Sequence, residues 1–291
     1  MAKVAFLGTG LIGRAMAERA LEQGHEVSVY NRTASKAAAL GELGARVCAT
    51  PREAVLGAER VHLVLSDDAS VDEVLASVGE GTEVGDVGER VFVDHTTTSP
   101  AGAKARAERF SNYLHAPIFM SPTNARAGLG LILASGNKAL FERVEVALQA
   151  MTGRVVWLGE RPELAASYKL FGNATIIALT GAVADVLTMG RALGLEPEEA
   201  MGIYEIFDPS MTLKYRGRNM AKGDFRPGFE LTMARKDVRL MMEAAGELPL
   251  AVLPGVAGRM DALIAAGHGA DDMGVLALEA VRGGPRGAGG S

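Results

Sequence analysis

The sequence predicts an α/β domain built on a doubly wound parallel sheet, followed by an all-α domain that a long helix joins to it. Two observations predict this arrangement. Up to about residue 160, short apolar runs rich in β-branched residues alternate with helix-like segments, and beyond it the strand-like runs nearly vanish. We therefore place a first domain at 1–160, a helical second domain at 161–282 and a flexible tail at 283–291.

Several apolar runs in the first domain have the length and composition of β-strands. Helix-like segments separate most of them, and a strand–helix–strand alternation favours parallel strands, because a parallel crossover needs a connection of about a dozen residues. The predicted strands are Lys3–Leu7, His25–Tyr30, Arg60–Leu65, Arg90–Asp94, Tyr113–Ile118, Leu129–Ala134 and Arg154–Leu158.

Capping signals mark where helices between these strands begin. The segment Thr50–Glu53 combines an N-cap hydroxyl, proline at the first helical position and a glutamate three residues after the cap. The pair Ser99–Pro100 repeats the cap-plus-proline entry. A further helix is predicted from about Lys138 to Met151, before the last strand.

The second domain is predicted to be helical throughout. It opens with one long helix at about 163–193, in which Leu170–Ala184 contains fifteen uncharged residues between Lys169 and Asp185. A membrane-spanning helix needs about 20 apolar residues, so we expect a buried helix in a protein without a membrane. Further helices are predicted at 197–207, 230–246, 251–266 and 271–282.

The composition is that of an ordinary globular protein, with 48% hydrophobic and 22% charged residues and a net charge of -5. Because phosphate binding usually requires clustered Lys and Arg, this balance argues against nucleic acid as a partner. The single cysteine, Cys48, lies in a short apolar run and is expected to be buried and inert. The five histidines are too scattered to predict a metal site. With no charged leader before an apolar stretch, we expect a cytoplasmic protein.

A glycine-rich motif directly follows the first predicted strand and opens a helix. Gly8, Gly10 and Gly13 give the pattern Gly-x-Gly-x-x-Gly, with Leu11 and Ile12 at the start of that helix. Glycine permits the tight turn and a close approach of backbone to a pyrophosphate, and the helix N-terminus offers unpaired N–H groups to the phosphates. In this context the motif predicts a Rossmann-type dinucleotide-binding domain, although a glycine turn without a ligand has the same pattern.

The residues that follow the second predicted strand bear on which dinucleotide binds. An NAD-specific enzyme carries an acidic residue there for the ribose 2′-hydroxyl, whereas this chain has Asn31, Arg32 and Thr33. Arg32 could pair with the 2′-phosphate of NADP while Asn31 and Thr33 add hydrogen bonds, which favours NADPH. If Arg32 is instead only a solvated residue at a strand end, relaxed cofactor use is expected, so NAD stays possible.

Four blocks, in this order along the chain, resemble the β-hydroxyacid dehydrogenase family, which includes 3-hydroxyisobutyrate dehydrogenase, tartronate semialdehyde reductase and glyoxylate or succinic semialdehyde reductases. The first is the glycine motif through Thr33. The second, Val93–Pro100, is similar to the family's Asp-x-Ser-Thr-x-Ser-Pro segment. The resemblance implies that Thr97 lies at the nicotinamide end of the cofactor, whereas a hydroxyl cluster that caps the following helix is the alternative. It also implies cofactor contacts at Leu65, Ser66 and Ser70.

The third block, Ala166–Asn173, matches the family's Lys-x-x-Asn-Asn motif in part, because Gly172 replaces the first Asn. Lys169 and Asn173 remain, and at spacing i and i+4 they project from the same face of the long helix. A lysine in an otherwise apolar helix is costly unless it has a task or a partner. The resemblance implies that Lys169 is the catalytic acid/base and that Asn173 holds the substrate, whereas an ion pair or a snorkelling side chain is the structural alternative.

Carbonyl reduction fits an amine at this position. When hydride attacks a carbonyl carbon, negative charge develops on its oxygen, and a protonated Lys169 within hydrogen-bond reach can neutralise it. In the oxidation direction, neutral Lys169 would accept the alcohol proton. The ordinary lysine pKa of about 10.4 must then be lowered, and an apolar helix face provides a mechanism for lowering it.

The fourth block, Phe229–Asp237, is similar to the family's Lys-Asp helix from the second domain. The resemblance implies that Lys236 faces the cofactor and that Asp237 positions it. On local sequence alone, the same two residues would be a charge pair on a helix surface.

The family's substrate loop reads Asp-Ala-Pro-Val-Ser-Gly-Gly, and this chain departs from it. The corresponding segment, His115–Pro122, has Phe119, Met120 and Ser121 in place of Ser-Gly-Gly. The change removes a hydroxyl and flexible backbone donors and adds apolar bulk. We therefore predict that the loop binds a different or more apolar carbonyl substrate than a small hydroxy acid. Substitute polar contacts would come from Ser121, Thr123 and Asn124.

The sequence thus predicts an NADPH-preferring oxidoreductase that interconverts a β-hydroxyacid, or a related alcohol, and its semialdehyde or carbonyl form. An imine reductase of the same superfold is one alternative, although that branch usually lacks lysine at the helix position of Lys169. A non-catalytic dinucleotide-binding module is another, since a fold can persist as a scaffold after its acid/base residue is lost. The apolar helical faces also predict a homodimer or homotetramer.

Overall fold

The computed structural model describes residues 1–79 and 90–282 and divides into two compact units, Met1–Asn173 and Ala174–Ser291. The predicted flexible tail, 283–291, lies outside the described residues. The division falls inside the long helix, beyond the predicted boundary at 160. The first turns of that helix belong to the first unit because Ala165 and Ala166 are fully buried there.

Six parallel strands form the main sheet of the first unit, in the order β3-β2-β1-β4-β5-β6. The strand order reverses between β1 and β4, and in such sheets the crevice at the carboxyl ends of those strands is where ligands bind. The two-residue strand β3 is too short to show a strand pattern and was not predicted. The strands are β1 (Lys3–Leu7), β2 (Glu26–Tyr30), β3 (Arg46–Val47), β4 (Arg60–Leu63), β5 (Val91–Asp94) and β6 (Tyr113–His115).

A second sheet in the same unit contains β7 (Ile118–Phe119), β8 (Leu131–Ala134) and β9 (Val155–Trp157). Strand β7 runs antiparallel to β8, whereas β8 and β9 are parallel. The prediction of Tyr113–Ile118 as one strand is therefore wrong. The segment divides between the two sheets near Pro117, which has no N–H to donate to a strand ladder.

Seven helices connect these strands, and both predicted capping sites are confirmed. Thr50 Oγ1 accepts the backbone N–H of Glu53 at 3.1 Å, and Ser99 Oγ accepts that of Gly102 at 3.0 Å. The helices are α1 (Leu11–Glu22), α2 (Ala34–Glu42), α3 (Pro51–Val55), α4 (Asp68–Gly79), α5 (Pro100–Arg109), α6 (Pro122–Ala127) and α7 (Lys138–Thr152).

Two apolar layers cover the faces of the main sheet. On one face, α1 and α7 pack against strand residues such as Phe6 and Val93. On the other, α3 and α4 pack over a layer that includes Cys48, which is buried as predicted, and burial raises the pKa of its thiol. Strand β4 contributes Val61 and Leu63 to this second layer and no apolar side chain to the first.

The long helix, six further α-helices, a π-helix at Ile264–His268 and a 3-10 helix at Met273–Ala277 make up the helical structure of the rest of the described chain. Helix α11 was not predicted, because none of its residues is buried and it therefore shows no apolar stripe. In the second unit, α12 and α13 pack on each other around buried residues such as Leu231 and Met260. The helices are α8 (Leu164–Ala192), α9 (Pro197–Met201), α10 (Ile203–Ile206), α11 (Ser210–Ala221), α12 (Leu231–Ala245), α13 (Leu253–Leu263) and α14 (Leu278–Val281).

Helix α8 is the one helix in the described part of the chain that is long and apolar enough to cross a membrane, by length and composition alone. Only 6% of its most apolar stretch is buried. Phe171, Ile176 and Ile177 are among its exposed side chains. The prediction that this helix is buried is therefore wrong for the single chain, because apolar character does not say what covers the surface.

Candidate functional site

The glycine motif forms a tight turn at the carboxyl end of β1. Gly8 has φ +103°, and a Cβ on it would lie 2.2 Å from the carbonyl oxygen of Val64. A Cβ on Gly13 would lie 2.1 Å from the carbonyl oxygen of Gly8. Gly10 has no heavy atom within 4 Å of that position, so the turn is packed behind and open at Gly10. The open side gives a pyrophosphate room to approach the backbone.

The first turn of α1 is suited to hold an anion. Its N-cap residue, Gly10, provides no side-chain cap, and Leu11 is 80% exposed. The N–H groups at the start of the helix are therefore available to a ligand, and the helix dipole favours a negative charge there. The predicted roles of Leu11, Ile12 and Gly13 are consistent with backbone contacts from this turn.

A cleft of about 340 Å³ lies beside this turn, at the carboxyl ends of β1, β2 and β4. It brings together eight of the predicted cofactor residues. The other five, which do not line it, are Leu11, Ile12, Gly13, Thr97 and Lys236. The lining residues are Gly8, Gly10, Tyr30, Asn31, Arg32, Thr33, Lys36, Val64, Leu65, Ser66, Ser70, Glu73 and Val74.

Two cations lie at the β2 end of the cleft. The side chain of Arg32 is 80% exposed, and its ion pair with Glu73 is long, with 4.0 Å between Nη1 and Oε2. Lys36, in the first turn of α2, lines the same cleft and was not predicted. Its spacing of four residues from Arg32, across a helix start, is the signal that could have found it. Together they give the cleft the positive charge that a 2′-phosphate requires.

Asn31 hydrogen-bonds the backbone of both turns that border the cleft. Its Oδ1 accepts the backbone N–H of Thr9 at 3.0 Å, and its Nδ2 donates to the carbonyl oxygen of Thr33 at 2.9 Å. One side chain thus ties the glycine turn after β1 to the turn after β2. The amide holds both walls of the cleft in place.

Serine and threonine hydroxyls order the other wall of the cleft. Ser66 Oγ and Ser70 Oγ lie 2.8 Å apart, and Thr96 Oγ1 accepts the backbone N–H of Leu65 at 3.0 Å. Thr96 is buried, whereas the next residue, Thr97, is exposed at the carboxyl end of β5. The exposed side chain is the one that the resemblance assigns to the nicotinamide end of the cofactor.

Lys169 is nearly buried, with 9% of its surface exposed. Its Nζ lies 3.9 Å from the centroid of the Phe119 ring. Burial lowers the pKa of this amine from its ordinary value. The amine therefore lies on an aromatic face in a partly dry environment, which is unlike a snorkelling surface lysine.

The two departures from the family pattern contact each other. A Cβ on Gly172 would lie 2.4 Å from Cζ of Phe119. The ring of Phe119 therefore occupies the space that any side chain at position 172 would need. Because the same ring lies against Lys169, the substitution in the loop and the substitution in the helix form one structural unit, which we call the Phe119–Gly172 pair.

Two of the predicted polar contacts in the substrate loop, Ser121 and Asn124, hydrogen-bond each other. Ser121 is the N-cap of α6, and its Oγ accepts the backbone N–H of Asn124 at 3.1 Å and bonds Asn124 Oδ1 at 3.0 Å. The Ser121 hydroxyl and the Asn124 carbonyl oxygen thus bond within the loop, and the role of Ser121, Thr123 and Asn124 as substrate contacts stays a prediction. The loop presents chiefly the apolar surface of Phe119 and Met120, which are both half-buried.

Two predicted residues stand apart from these contacts. Asn173 is half-buried on α8, one turn after Lys169. Lys236, on α12 of the second unit, is half-exposed, and its Nζ lies 2.8 Å from Oδ1 of the neighbouring Asp237.

In the described residues, no group of three or more His, Cys, Asp or Glu side chains has an arrangement that could hold a metal ion.

Two family models match this chain. Residues 3–159 match the NAD-binding domain of 6-phosphogluconate dehydrogenase, and residues 165–278 match the model described as NAD-binding of NADP-dependent 3-hydroxyisobutyrate dehydrogenase. The chain belongs to the 3-hydroxyisobutyrate dehydrogenase family of NAD(P)-binding oxidoreductases, as the four sequence blocks predicted.

Curated relatives cover most of this chain. Glyoxylate/succinic semialdehyde reductase 1 of Arabidopsis thaliana is 31% identical over 252 residues, which make up 84% of this chain and 86% of the plant protein. The uncharacterised oxidoreductase YfjR of Bacillus subtilis (strain 168) is 29% identical over 86% of this chain and 91% of its own length. Human cytokine-like nuclear factor N-PAC is 31% identical over 82% of this chain, which spans only 44% of N-PAC.

Solved structures share the architecture along nearly the whole chain. An imine reductase from a Pseudomonas species has a TM-score of 0.86 at 21% identity and covers 95% of this chain and 99% of its own. A reductive aminase from Aspergillus terreus, in complex with NADPH and ethyl levulinate, has a TM-score of 0.85 at 25% identity and covers 97% and 100%. This chain thus shares its fold with solved imine reductases and reductive aminases.

Proposed function

We propose that this protein is an NADPH-preferring reductase of carbonyl compounds, with Lys169 as its acid/base and the corresponding alcohol as its product. The observation that carries the proposal is the nearly buried amine of Lys169 on the face of the Phe119 ring. Burying a cation costs free energy and so does not favour folding. Buried ionisable groups of this kind concentrate at functional sites.

Lys169 is placed to donate the proton that carbonyl reduction requires. Bound NADPH supplies the hydride that adds to the carbonyl carbon. As the electron pair of the C=O π bond moves to oxygen, protonated Lys169 donates one proton to that oxygen and becomes a neutral amine. Asn173 lies one helical turn away on the same face, where its amide would hydrogen-bond the substrate. A proton from solvent then restores the ammonium.

The lowered pKa of Lys169 suits both directions of the reaction. A lysine with its ordinary pKa is almost fully protonated near neutral pH and is a poor base. Burial lowers this pKa and so increases the neutral fraction that can accept a proton from an alcohol. The same group can therefore act as an acid in reduction and as a base in oxidation.

The charge of the cofactor cleft supports NADPH over NADH. Arg32 and Lys36 both line it at the end of β2, where the 2′-phosphate of NADP would lie. We expect Arg32→Ala to raise KM for NADPH by about tenfold or more and to change KM for NADH little, because only NADPH carries the charge that Arg32 would pair with. Equal changes with both cofactors would contradict this assignment.

The Phe119–Gly172 pair supports an apolar substrate. Aromatic surface replaces polar groups beside the amine, and the hydroxyl of Ser121 already caps α6. A second carboxylate on the substrate would therefore find few hydrogen-bond donors in this loop. We propose aldehydes or ketones with an apolar body as the preferred substrates, rather than small semialdehydes of dicarboxylic acids.

The test is steady-state reduction of succinic semialdehyde, glyoxylate and bulkier apolar aldehydes by the wild type and Lys169→Met, with NADPH and with NADH. Methionine keeps the length of the side chain but cannot donate a proton. We expect turnover with NADPH and a loss of kcat/KM by a factor of at least about 100 in the variant. Turnover that does not change in Lys169→Met would remove this residue from the mechanism.

Imine reduction is the second candidate, and the architecture shared with imine reductases and reductive aminases supports it. A cyclic imine added to the same panel distinguishes the two activities. If imines are reduced and every aldehyde and ketone is not, the carbonyl proposal is wrong. NADPH binding without any turnover would instead indicate a non-catalytic dinucleotide-binding module.

We further propose that the exposed apolar surface of α8 is covered by a second copy of this chain. Asp185 on this helix accepts backbone N–H groups from Ala251 to Leu253, so the helix is packed in protein on that side. A two-fold axis would bring the same apolar patch of both copies together. Light scattering on the purified protein should give the mass of a dimer or tetramer, and a monomer at working concentration would contradict it.

A further inference from the structure

One face of the main sheet is interrupted at its centre. The face that packs against α1 and α7 is apolar on β1 and on β5, but the strand between them, β4, places Arg60 and His62 on it. These residues lie beside Val4 and Phe6 of β1 in the strand register. A central parallel strand is ordinarily apolar on both faces, so two ionisable side chains here need a reason.

A cavity of about 370 Å³ lies over these two residues, between the sheet and helices α1 and α7. It is near the amino ends of the strands, whereas the cofactor cleft is at their carboxyl ends. Its lining combines positively charged or imidazole side chains with an apolar wall and includes no Asp or Glu. The lining residues are Val4, Phe6, Ala20, Gln23, His25, Arg60, His62, Arg143, Val146, Ala147, Ala150 and Met151.

Arg60 is incompletely satisfied by the folded chain. Its Nε is buried and has no hydrogen-bond partner in the described residues. Burial also lowers the pKa of this guanidinium. A buried N–H without an acceptor costs free energy, and more when the group is charged, and an anion in the cavity would remove that cost.

The hydrogen bonds of two histidines define what His62 presents to the cavity. His95 Nδ1 lies 2.7 Å from the carbonyl oxygen of Ala116, which can only accept, so this nitrogen carries the proton. Neutral His95 must then accept at Nε2, where His62 Nδ1 lies 2.9 Å away and donates. In its neutral form, His62 therefore has an unprotonated Nε2, which can accept a hydrogen bond from water but not from a carboxylate, since that group has no hydrogen to donate.

We propose that this cavity binds a small organic carboxylate with an apolar body, such as an aromatic or short aliphatic acid. The carboxylate pairs with Arg60, and Arg143 lines the same cavity wall. The apolar body packs on Val146 and Met151. Nothing in the cofactor site or in the chemistry of Lys169 uses these residues. The cavity volume is within the range of small-ligand sites.

Benzoate is the probe, and calorimetric titration in the presence of saturating NADPH at constant ionic strength is the measurement. We expect benzoate to bind at least about tenfold more tightly than benzamide, which lacks the charge, and than acetate, which lacks the apolar body. Equal binding of benzamide would show that the cationic groups do not select the ligand, and equal binding of acetate would show that the apolar wall does not. No heat of binding from benzoate at all would overturn the proposal.

Variants locate the site. Arg60→Met should lower the affinity for benzoate at least about tenfold without lowering the free energy of unfolding, because an apolar side chain suits its neighbours. Arg60→Gln provides a second test if the methionine variant does not fold. Arg90→Gln is the matched control, since Arg90 also has a buried Nε without a partner among the described residues but does not line the cavity. Binding lost in Lys169→Met but kept in Arg60→Met would place benzoate in the substrate site and overturn the proposal.

Discussion

At the scale of single residues, two opposing effects act on the amine of Lys169. Burial removes water from the ammonium and lowers its pKa. The Phe119 ring, with its centroid 3.9 Å from Nζ, stabilises the charged form through its negative face. The balance of these two effects determines how much neutral amine is present near pH 7, and the position of one aromatic ring therefore bears on the acid/base role that we propose for Lys169.

Replacing the ring by an aliphatic side chain should expose that balance. In Phe119→Leu the amine stays buried but loses the aromatic face, so the charged form is less stable and the pKa of Lys169 falls further. In the oxidation direction, where the base must be neutral, the acidic limb of the kcat/KM profile should move to lower pH. A profile that stays in place, with Lys169→Met inactive, would show that the ring does not influence the amine.

The Phe119–Gly172 pair makes a second prediction at this scale. Gly172→Ala places a Cβ 2.4 Å from the Phe119 ring, so the ring must move away from Lys169. We expect this single change to reduce kcat/KM for apolar aldehydes. In a Phe119→Ser background the same change should be harmless, and alanine should even stabilise the helix by up to about 1 kcal/mol.

A double-mutant cycle measures this coupling, with kcat/KM and the free energy of unfolding determined for all four proteins. Phe119→Ser should also shift preference toward succinic semialdehyde over apolar aldehydes, because it restores a hydroxyl beside the amine. Additive effects of the two substitutions would contradict the contact, and an unchanged substrate preference would contradict the role of the ring in specificity.

At the scale of secondary-structure elements, one buried carboxylate on α8 caps the N-terminus of a helix that is distant in sequence. Asp185 of α8 is 2% exposed and accepts the backbone N–H groups of Ala251, Val252 and Leu253. Helix α13 starts at Leu253, and its N-cap residue, Val252, has no side chain that can cap it. The carboxylate thus replaces a local N-cap and neutralises the positive end of α13.

Removing this carboxylate should destabilise the second unit. In Asp185→Ala three part-buried N–H groups lose their acceptor, and we expect the free energy of unfolding to fall by about 2–4 kcal/mol. Urea unfolding followed by circular dichroism is the measurement. Glu243→Ala is the control, since this exposed i,i+4 partner of Arg239 should contribute less than about 0.5 kcal/mol. Equal losses in the two variants would show that Asp185 is no more than a surface charge.

Close packing supports the same junction between elements. A Cβ on Gly181 would lie 2.6 Å from Cγ2 of Val252, so glycine lets α8 approach the start of α13. Gly181 and Asp185 are one helical turn apart and therefore share a face of α8. Together they explain why the uncharged run in this helix ends at an aspartate.

At the scale of the whole molecule, the two buried histidines make stability depend on pH. Burial lowers the pKa of His95 to about 4, and it lowers the pKa of His62 well below its ordinary value. The unfolded chain then binds more protons than the folded one between about pH 6.5 and pH 4. The contribution of the neutral histidines is fully present above pH 6.5 and is lost as the pH falls through this window.

The measurement is the free energy of unfolding from urea titrations at several pH values between 7 and 4. The wild type should lose stability steadily below about pH 6.5, at up to about 1.4 kcal/mol for each pH unit and histidine. The double variant His62→Met and His95→Gln should show a smaller slope in the same window. Equal slopes would assign the pH dependence to other groups.

Much of this protein was determined by local sequence pattern. Strand β1, the glycine turn and the start of α1 follow from apolar residues and glycines that are neighbours in sequence, and these were predicted correctly. The caps at Thr50 and Ser99 depend on contacts three residues away, so they too can be inferred from the sequence. The spacing of Lys169 and Asn173 likewise places them on one helix face. Family membership follows from such blocks.

Only the tertiary structure decided how distant residues meet. The ring of Phe119 lies against Lys169 and Gly172, although some fifty residues separate them. No local pattern shows that His62 bonds His95, or that Asp185 caps a helix that starts at Leu253. These contacts depend on the order and register of strands and on helix packing, which no short window of sequence contains. Sequence thus determined the glycine turn and the position of Lys169 on its helix, and packing decided the aromatic and apolar surroundings that lower the pKa of its amine.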